Sequence, residues 1–191
     1  MGFRRFLGLD RPTASPGATD GAPTPPPDTP GDTLTVRRIV ASLEALPPDQ
    51  ARYLAGFAYV LSRAAHADLD VSEAETRLME GFVVEYGGLD EAQAVIVVEI
   101  AKFQSRLHGG TEDFVVTREF SRLATDEQKL ALLRCCFAIG AADDSITAEE
   151  ASEVNQIARE LGVDREALNA VRADFHDKLS AIREMRRSLG A

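Results

Sequence analysis

Ala67-Asp68-Leu69-Asp70-Val71-Ser72-Glu73-Ala74-Glu75 and Ala142-Asp143-Asp144-Ser145-Ile146-Thr147-Ala148-Glu149-Glu150 are two copies of one pattern, A-D-x-x-[VI]-[ST]-x-x-E, set 75 residues apart. The likeness extends outward at the same offset. Phe57, Val60, Leu61 and Ala64 fall opposite Leu132, Cys135, Cys136 and Ile139, and Met79 and Phe82 fall opposite Val154 and Ile157. Acidic and apolar positions recurring together at a fixed distance predict an internal duplication. Within each copy a Ser or Thr stands three residues before a Glu, as in a capping box, where hydroxyl and carboxylate each satisfy a backbone amide at a helix start. Each half therefore reads as an apolar helix, an acidic loop and a capped helix.

Outward from these motifs the chain continues as helices. Upstream, Leu34, Val36, Ile39, Val40, Leu43 and Leu46 are spaced for one apolar face, and Pro47-Pro48 ends that helix. Asp49 opens the next, with Tyr53, Leu54, Phe57, Val60, Leu61 and Ala64 inward. Ser72 starts a helix through Leu78, Met79, Phe82 and Val83, closed by Gly87-Gly88; Asp90-x-x-Gln93 starts another, with Ala94, Val97, Val98, Ile100 and Ala101 inward. A shorter helix is expected from Thr111 through Phe114, Thr117, Phe120 or Ser121, and Leu123. Thr125-x-x-Gln128 opens the apolar helix that leads into the second motif. Thr147 starts a helix that Gly162 ends, and Asp164 caps a last one bearing Leu168, Val171, Phe175 and Leu179 and running toward Arg187. No stretch sustains period-2 alternation. The expected fold is all-α, a helical bundle of seven or eight helices over residues 33–188, its halves near 50–108 and 111–180. Phe57, Leu61, Phe82, Val97, Leu133, Phe137, Val154, Ile157 and Val171 are the expected core.

Residues 12–31 hold seven of the nine prolines and almost nothing apolar, so residues 1–32 are expected to be a disordered leader and spacer. Its first turn, Phe3-Arg4-Arg5-Phe6-Leu7-Gly8-Leu9, is aromatic and basic. It reads either as a weak anchor for a membrane surface or partner protein, or as a frayed terminus.

Of the net charge of −10, residues 34–177 carry −12, an acidic body that repels phosphate backbones and argues against nucleic acid as a partner. No run of 18 apolar residues offers a membrane span, and two adjacent cysteines supply no disulfide framework, which points to the cytoplasm, at most peripheral to the inner face of a membrane.

Asp68, Asp70 and Glu75, with Asp143, Asp144 and Glu150, offer oxygen ligands suited to a hard divalent cation such as Ca²⁺ or Mg²⁺. Capping alone also accounts for Glu75 and Glu150, and acids are favoured at a helix start without any metal. Neither copy is an EF-hand loop, since the twelfth residue from Asp68 is Met79 and from Asp143 is Val154. Cys135 and Cys136 sit opposite Val60 and Leu61 in the duplication and are expected in the core. His66, His108 and His176 have no helical partner at metal-ligand spacing. Catalytic residues are not expected.

The paired motifs resemble the bacterial tellurite-resistance TerB family over roughly residues 50–175, and the related N-terminal module of membrane-anchored J-domain co-chaperones, although no J-domain signature follows. The positions that carry the resemblance are Asp68, Glu75, Asp143 and Glu150. Where the family often has Gly after the aspartate, this chain has Leu69 and Asp144. The resemblance implies an acidic, metal-binding helical module of stress or tellurite response, and the lack of a catalytic pattern adds the expectation that it is non-enzymatic and engages a protein partner. The alternative from another class is metal- or thiol-dependent chemistry on tellurite or another oxyanion.

Overall fold

The computed structural model describes residues 30–65, 72–105, 113–142, 144–182 and 184. Residues 1–29, with the expected anchor at 3–9, lie outside them, whereas residues 30–32 of the expected leader are helical. Every regular element among the described residues is helical: α1 (Pro30–Glu44), α2 (Pro48–Ala64), α3 (Glu73–Glu85), α4 (Glu91–Ser105), α5 (Asp113–Leu123), α6 (Asp126–Gly140), α7 (Ala148–Leu161) and α8 (Arg165–Ala173), followed by a 3₁₀ turn at His176–Lys178. The all-α expectation holds, and the four predicted box residues Ser72, Asp90, Thr125 and Thr147 each exchange hydrogen bonds with Glu75, Gln93, Gln128 and Glu150.

The chain divides into two compact units, residues 1–52 and 53–191. In the first, α1 begins at Pro30, ahead of the expected Thr33, and its apolar stripe is narrower than the spacing predicts. Ile39 and Leu43 are buried, while Leu34 and Val40 are exposed. Pro48 occupies the first position of α2, where its missing N–H would have no helical acceptor in any case.

In the second unit α6 is the centre. Leu132, Leu133, Cys135, Cys136 and Phe137 are all buried, because the helix packs against α3, α7 and α8 together. A helix covered on several sides must be apolar over most of its circumference, and α6 is. The equivalent residues of α2, Phe57, Val60 and Leu61, are equally buried. Gly56 lets Phe120 of α5 approach α2, since a Cβ there would fall 2.8 Å from the ring. Tyr53, Phe57 and Phe120 meet at centroid distances of 5.5–6.3 Å. A second aromatic chain, Phe82, Tyr86, Phe175 and Phe137, ties α3 and α6 to the turn after α8.

Four expectations need correction. Phe82 is half-buried rather than core, and Leu78 of α3 is exposed, the inward face there being Met79 and Val83. In α5 the inward residues are Val116, Thr117 and Phe120, whereas Phe114 and Leu123 face solvent. The last helix does not run on toward Arg187: α8 stops at Ala173, and helix resumes only at residues 180–182 and 184. Tertiary demand is the physical reason for that break. Ile146, in the second acidic loop, is 1% exposed, and its backbone groups need partners that a loop cannot provide for itself. The backbone is extended at Leu179 (φ −65°, ψ 121°), which sets Lys178 and Ser180 on either side of it to supply them. The Ile146 N–H donates to the Lys178 carbonyl at 2.8 Å and the Ser180 N–H to the Ile146 carbonyl at 2.9 Å, forming an isolated parallel bridge between Ile146 and Leu179.

The duplication is visible in the elements. α3 and α7 start 75 residues apart, each behind a capping box. The left-handed glycines that follow them, Gly88 (φ 66°) and Gly162 (φ 73°), are 74 apart, as are the next caps, Asp90 and Asp164. The second turn is two residues shorter, α7 is one residue longer than α3, and the same Gly-x-Asp exit is kept.

Candidate functional site

Of the six expected cation ligands, Glu75, Asp144 and Glu150 are described, while Asp68, Asp70 and Asp143 lie outside the described residues. Glu75 Oε2 accepts the Ser72 N–H at 2.7 Å, and the Ser72 hydroxyl accepts the Glu75 N–H at 3.2 Å. Those hydrogen bonds, the Ser72 side chain first and its backbone second, hold the Glu75 carboxyl below its usual range. In the second half Glu150 Oε2 accepts the Thr147 N–H at 2.7 Å and its hydroxyl at 3.0 Å. In each glutamate the bonds to described residues use one oxygen, which fixes the carboxylate at the mouth of the loop.

Asp144 is the non-glycine residue with positive φ (64°) among the described ones. A short polar side chain makes that left-handed geometry tolerable. The Asp144 carboxylate, largely exposed, pairs with the Lys178 ammonium. The second loop is therefore fastened twice by the same C-terminal segment, through the Ile146 bridge and through this ion pair. Among the described residues no three His, Cys, Asp or Glu side chains converge as a ready cation cage.

A polar cluster that sequence reasoning missed lies at the junction of α2, α5 and α7. Arg63, with only 6% of its side chain exposed, reaches both Glu153 (2.8 Å) and Glu160 (2.5 Å) and donates to the Thr117 hydroxyl at 2.7 Å. Thr117 in turn donates to the Asp113 carbonyl at 2.8 Å, and Gln156 donates to Glu160 at 3.0 Å. Burial opposes the charge on Glu160, but hydrogen bonds from Arg63 and Gln156, with the Arg63 charge, outweigh it and leave its pKa below the usual glutamate range. Burial likewise works against the Arg63 cation, and the two carboxylates more than offset it. The signal was in the duplication: Arg63 interrupts an apolar helix face at the position where the second copy has Ala138, which is buried.

Cys135 and Cys136 are buried as expected. Burial is the main cause that pushes the Cys136 thiol up to about 12, with Arg63 pulling the other way, and it carries Cys135 further still. Such thiols stay protonated and are poor nucleophiles and metal ligands.

The family model of the tellurite resistance protein TerB matches residues 54–173, more than half of the chain. The chain belongs to the TerB family. No curated protein and no solved structure matches it. The TerB match contains both acidic motifs, Arg63 with its partners, and the two cysteines. Lys178, Leu179 and Ser180, which fasten the second loop of the TerB domain, follow the matched stretch.

Proposed function

We propose that this TerB chain is a non-enzymatic interaction module of tellurite or stress response, which takes up a divalent cation at its duplicated acidic loops and engages a protein partner in the cytoplasm. The observation that carries the reading is the recurrence of an aspartate that capping does not require. Ser72 with Glu75, and Thr147 with Glu150, complete their boxes unaided, yet Asp68 and Asp143 each stand four residues before the cap. A cation at a helix start works against the macrodipole, so a ligand set there needs carboxylates beyond the capping one. All-oxygen donors fit Ca²⁺ or Mg²⁺ better than a thiolate-seeking metal. Thiol chemistry on an oxyanion draws no support from two buried, protonated cysteines. The acidic charge, and the fact that no described helix is long and apolar enough to cross a membrane, are compatible with the cytoplasmic setting.

Thermal unfolding with and without millimolar Ca²⁺, Mg²⁺, Mn²⁺ or Zn²⁺ tests the proposal. A bound cation stabilises the native state by mass action, about 2.7 kcal/mol at a hundred times its Kd. The parent melting temperature should rise with cation, and the double variant Asp68→Asn, Asp143→Asn should lose that rise while keeping its cation-free stability. A parent indifferent to all four ions would return these residues to loop structure.

A further inference from the structure

The second unit carries one cleft whose charge contradicts the rest of the surface. It lies between α7 and α8, has a volume of about 510 Å³, and is lined by Arg159, Arg165 and Arg172, by Asn155 and Asn169, and by Ala158, Val163 and Leu168. No Asp or Glu lines it, although residues 34–177 carry −12. The sorting follows from α7, which turns Glu153, Gln156 and Glu160 toward Arg63 and leaves Asn155, Ala158 and Arg159 for the cleft.

We propose that this cleft binds a small organic anion, with a phosphate or carboxylate head held by the arginines and an apolar body resting on Ala158, Val163 and Leu168. Its polar groups are nearly all donors. Arg172 donates to Asn169 Oδ1 at 2.8 Å and also to Asn155 Oδ1. A guanidinium has only donors, so both carboxamides must turn their oxygens to Arg172, which leaves their NH₂ groups for a ligand. Arg159 and Arg165 are exposed and form no ion pair with a described residue. Asp164, beside Arg165 in the chain, is engaged by the Ala167 N–H at 2.8 Å. Three guanidinium groups and two amide NH₂ groups, with both amide oxygens engaged by Arg172, match an anion's lone pairs, and guanidinium forks suit phosphate and carboxylate geometry. The volume falls in the range of small-molecule sites and exceeds what a bare inorganic oxyanion would fill, and Val163 at the floor is only part-buried.

The experiment is a ¹⁵N–¹H NMR titration of the full chain, first depleted of divalent cations so that the outcome does not depend on the cation proposal. The probes are phenyl phosphate, inorganic phosphate and sodium chloride at matched ionic strength. Phenyl phosphate should give saturable shifts centred on Asn155, Arg159, Arg165 and Asn169, and should bind roughly tenfold more tightly than inorganic phosphate because its ring covers the floor. The double variant Arg159→Gln, Arg165→Gln, whose changes are on exposed side chains, should weaken phenyl phosphate by at least about tenfold at unchanged melting temperature. Shifts that follow ionic strength alone, that scatter over the surface, or that persist in the variant would overturn the site. Equal affinity for the two phosphates would overturn its assignment to an organic anion.

Discussion

Asp144 holds a left-handed backbone that costs an ordinary L-residue about 1–2 kcal/mol. Its ion pair with Lys178 is largely exposed and contributes little by itself. Asp144→Ala and Asp144→Gly lose the same ion pair, so the difference between them reports the backbone. We expect the Ala variant to be less stable than the Gly variant by about 1 kcal/mol in urea unfolding; equal stabilities would mean that the loop relaxes out of the left-handed geometry. The cysteines offer a second test at this scale. With Cys136 pushed up to about 12 by burial and Cys135 beyond it, a thiol-specific reagent at pH 8 should label neither in the folded chain and both after denaturation. Prompt labelling of the native protein would reopen thiol chemistry.

Arg63 is where helices meet. It links α2 to α5 through Thr117 and to α7 through Glu153 and Glu160, and most of the cluster is shielded from water. Removing one member of a buried ionic cluster leaves the others charged without a partner, which costs about 3–5 kcal/mol, whereas replacing the whole set with apolar groups is often neutral. Arg63→Met should therefore destabilise the chain by about 3 kcal/mol, and the triple variant Arg63→Met, Glu153→Leu, Glu160→Met should recover most of it. Chemical denaturation of both measures this. A mild single variant would show that water already reaches the cluster. Its pH dependence has a fixed sign. The folded pKa of Glu160 is depressed, so its contribution is complete above the ordinary glutamate range near about pH 4.3 and is lost as pH falls through the lower folded value. The acid limb of stability against pH should be shallower in the triple variant than in the parent.

For the whole molecule the two acidic loops are alike in sequence. The second is fastened by the segment at 178–180, beyond the TerB match. Lys178→Ala removes a cation competing for Asp144 while leaving the backbone bridge in place. If the loops bind divalent ions as proposed, this variant should bind them at least as tightly as the parent in calorimetric titration, and several-fold more tightly if Asp144 is a ligand. Weaker binding would mean that Lys178 serves to shape the site rather than to compete with it.

Much of this was legible in the sequence because it is local. Four capping boxes, two left-handed glycines and an apolar period of 3.6 are set by contacts within a few residues, and each took the form its residues dictate. The duplication likewise needed only comparison of the chain with itself, and it placed the cysteines in the core. Tertiary structure decided what depends on groups distant along the chain. Which apolar residues of α1, α3 and α5 stay in water was settled by the neighbours present, so Leu34, Leu78 and Phe114 are exposed despite good spacing. The extended break at Leu179 was decided by its pairing with the backbone of Ile146, and the fate of Arg63 by glutamates 90 and 97 residues away. Charge followed the same logic, for an acidic chain can still gather three arginines in one cleft when α7 turns its carboxylates to the opposite side.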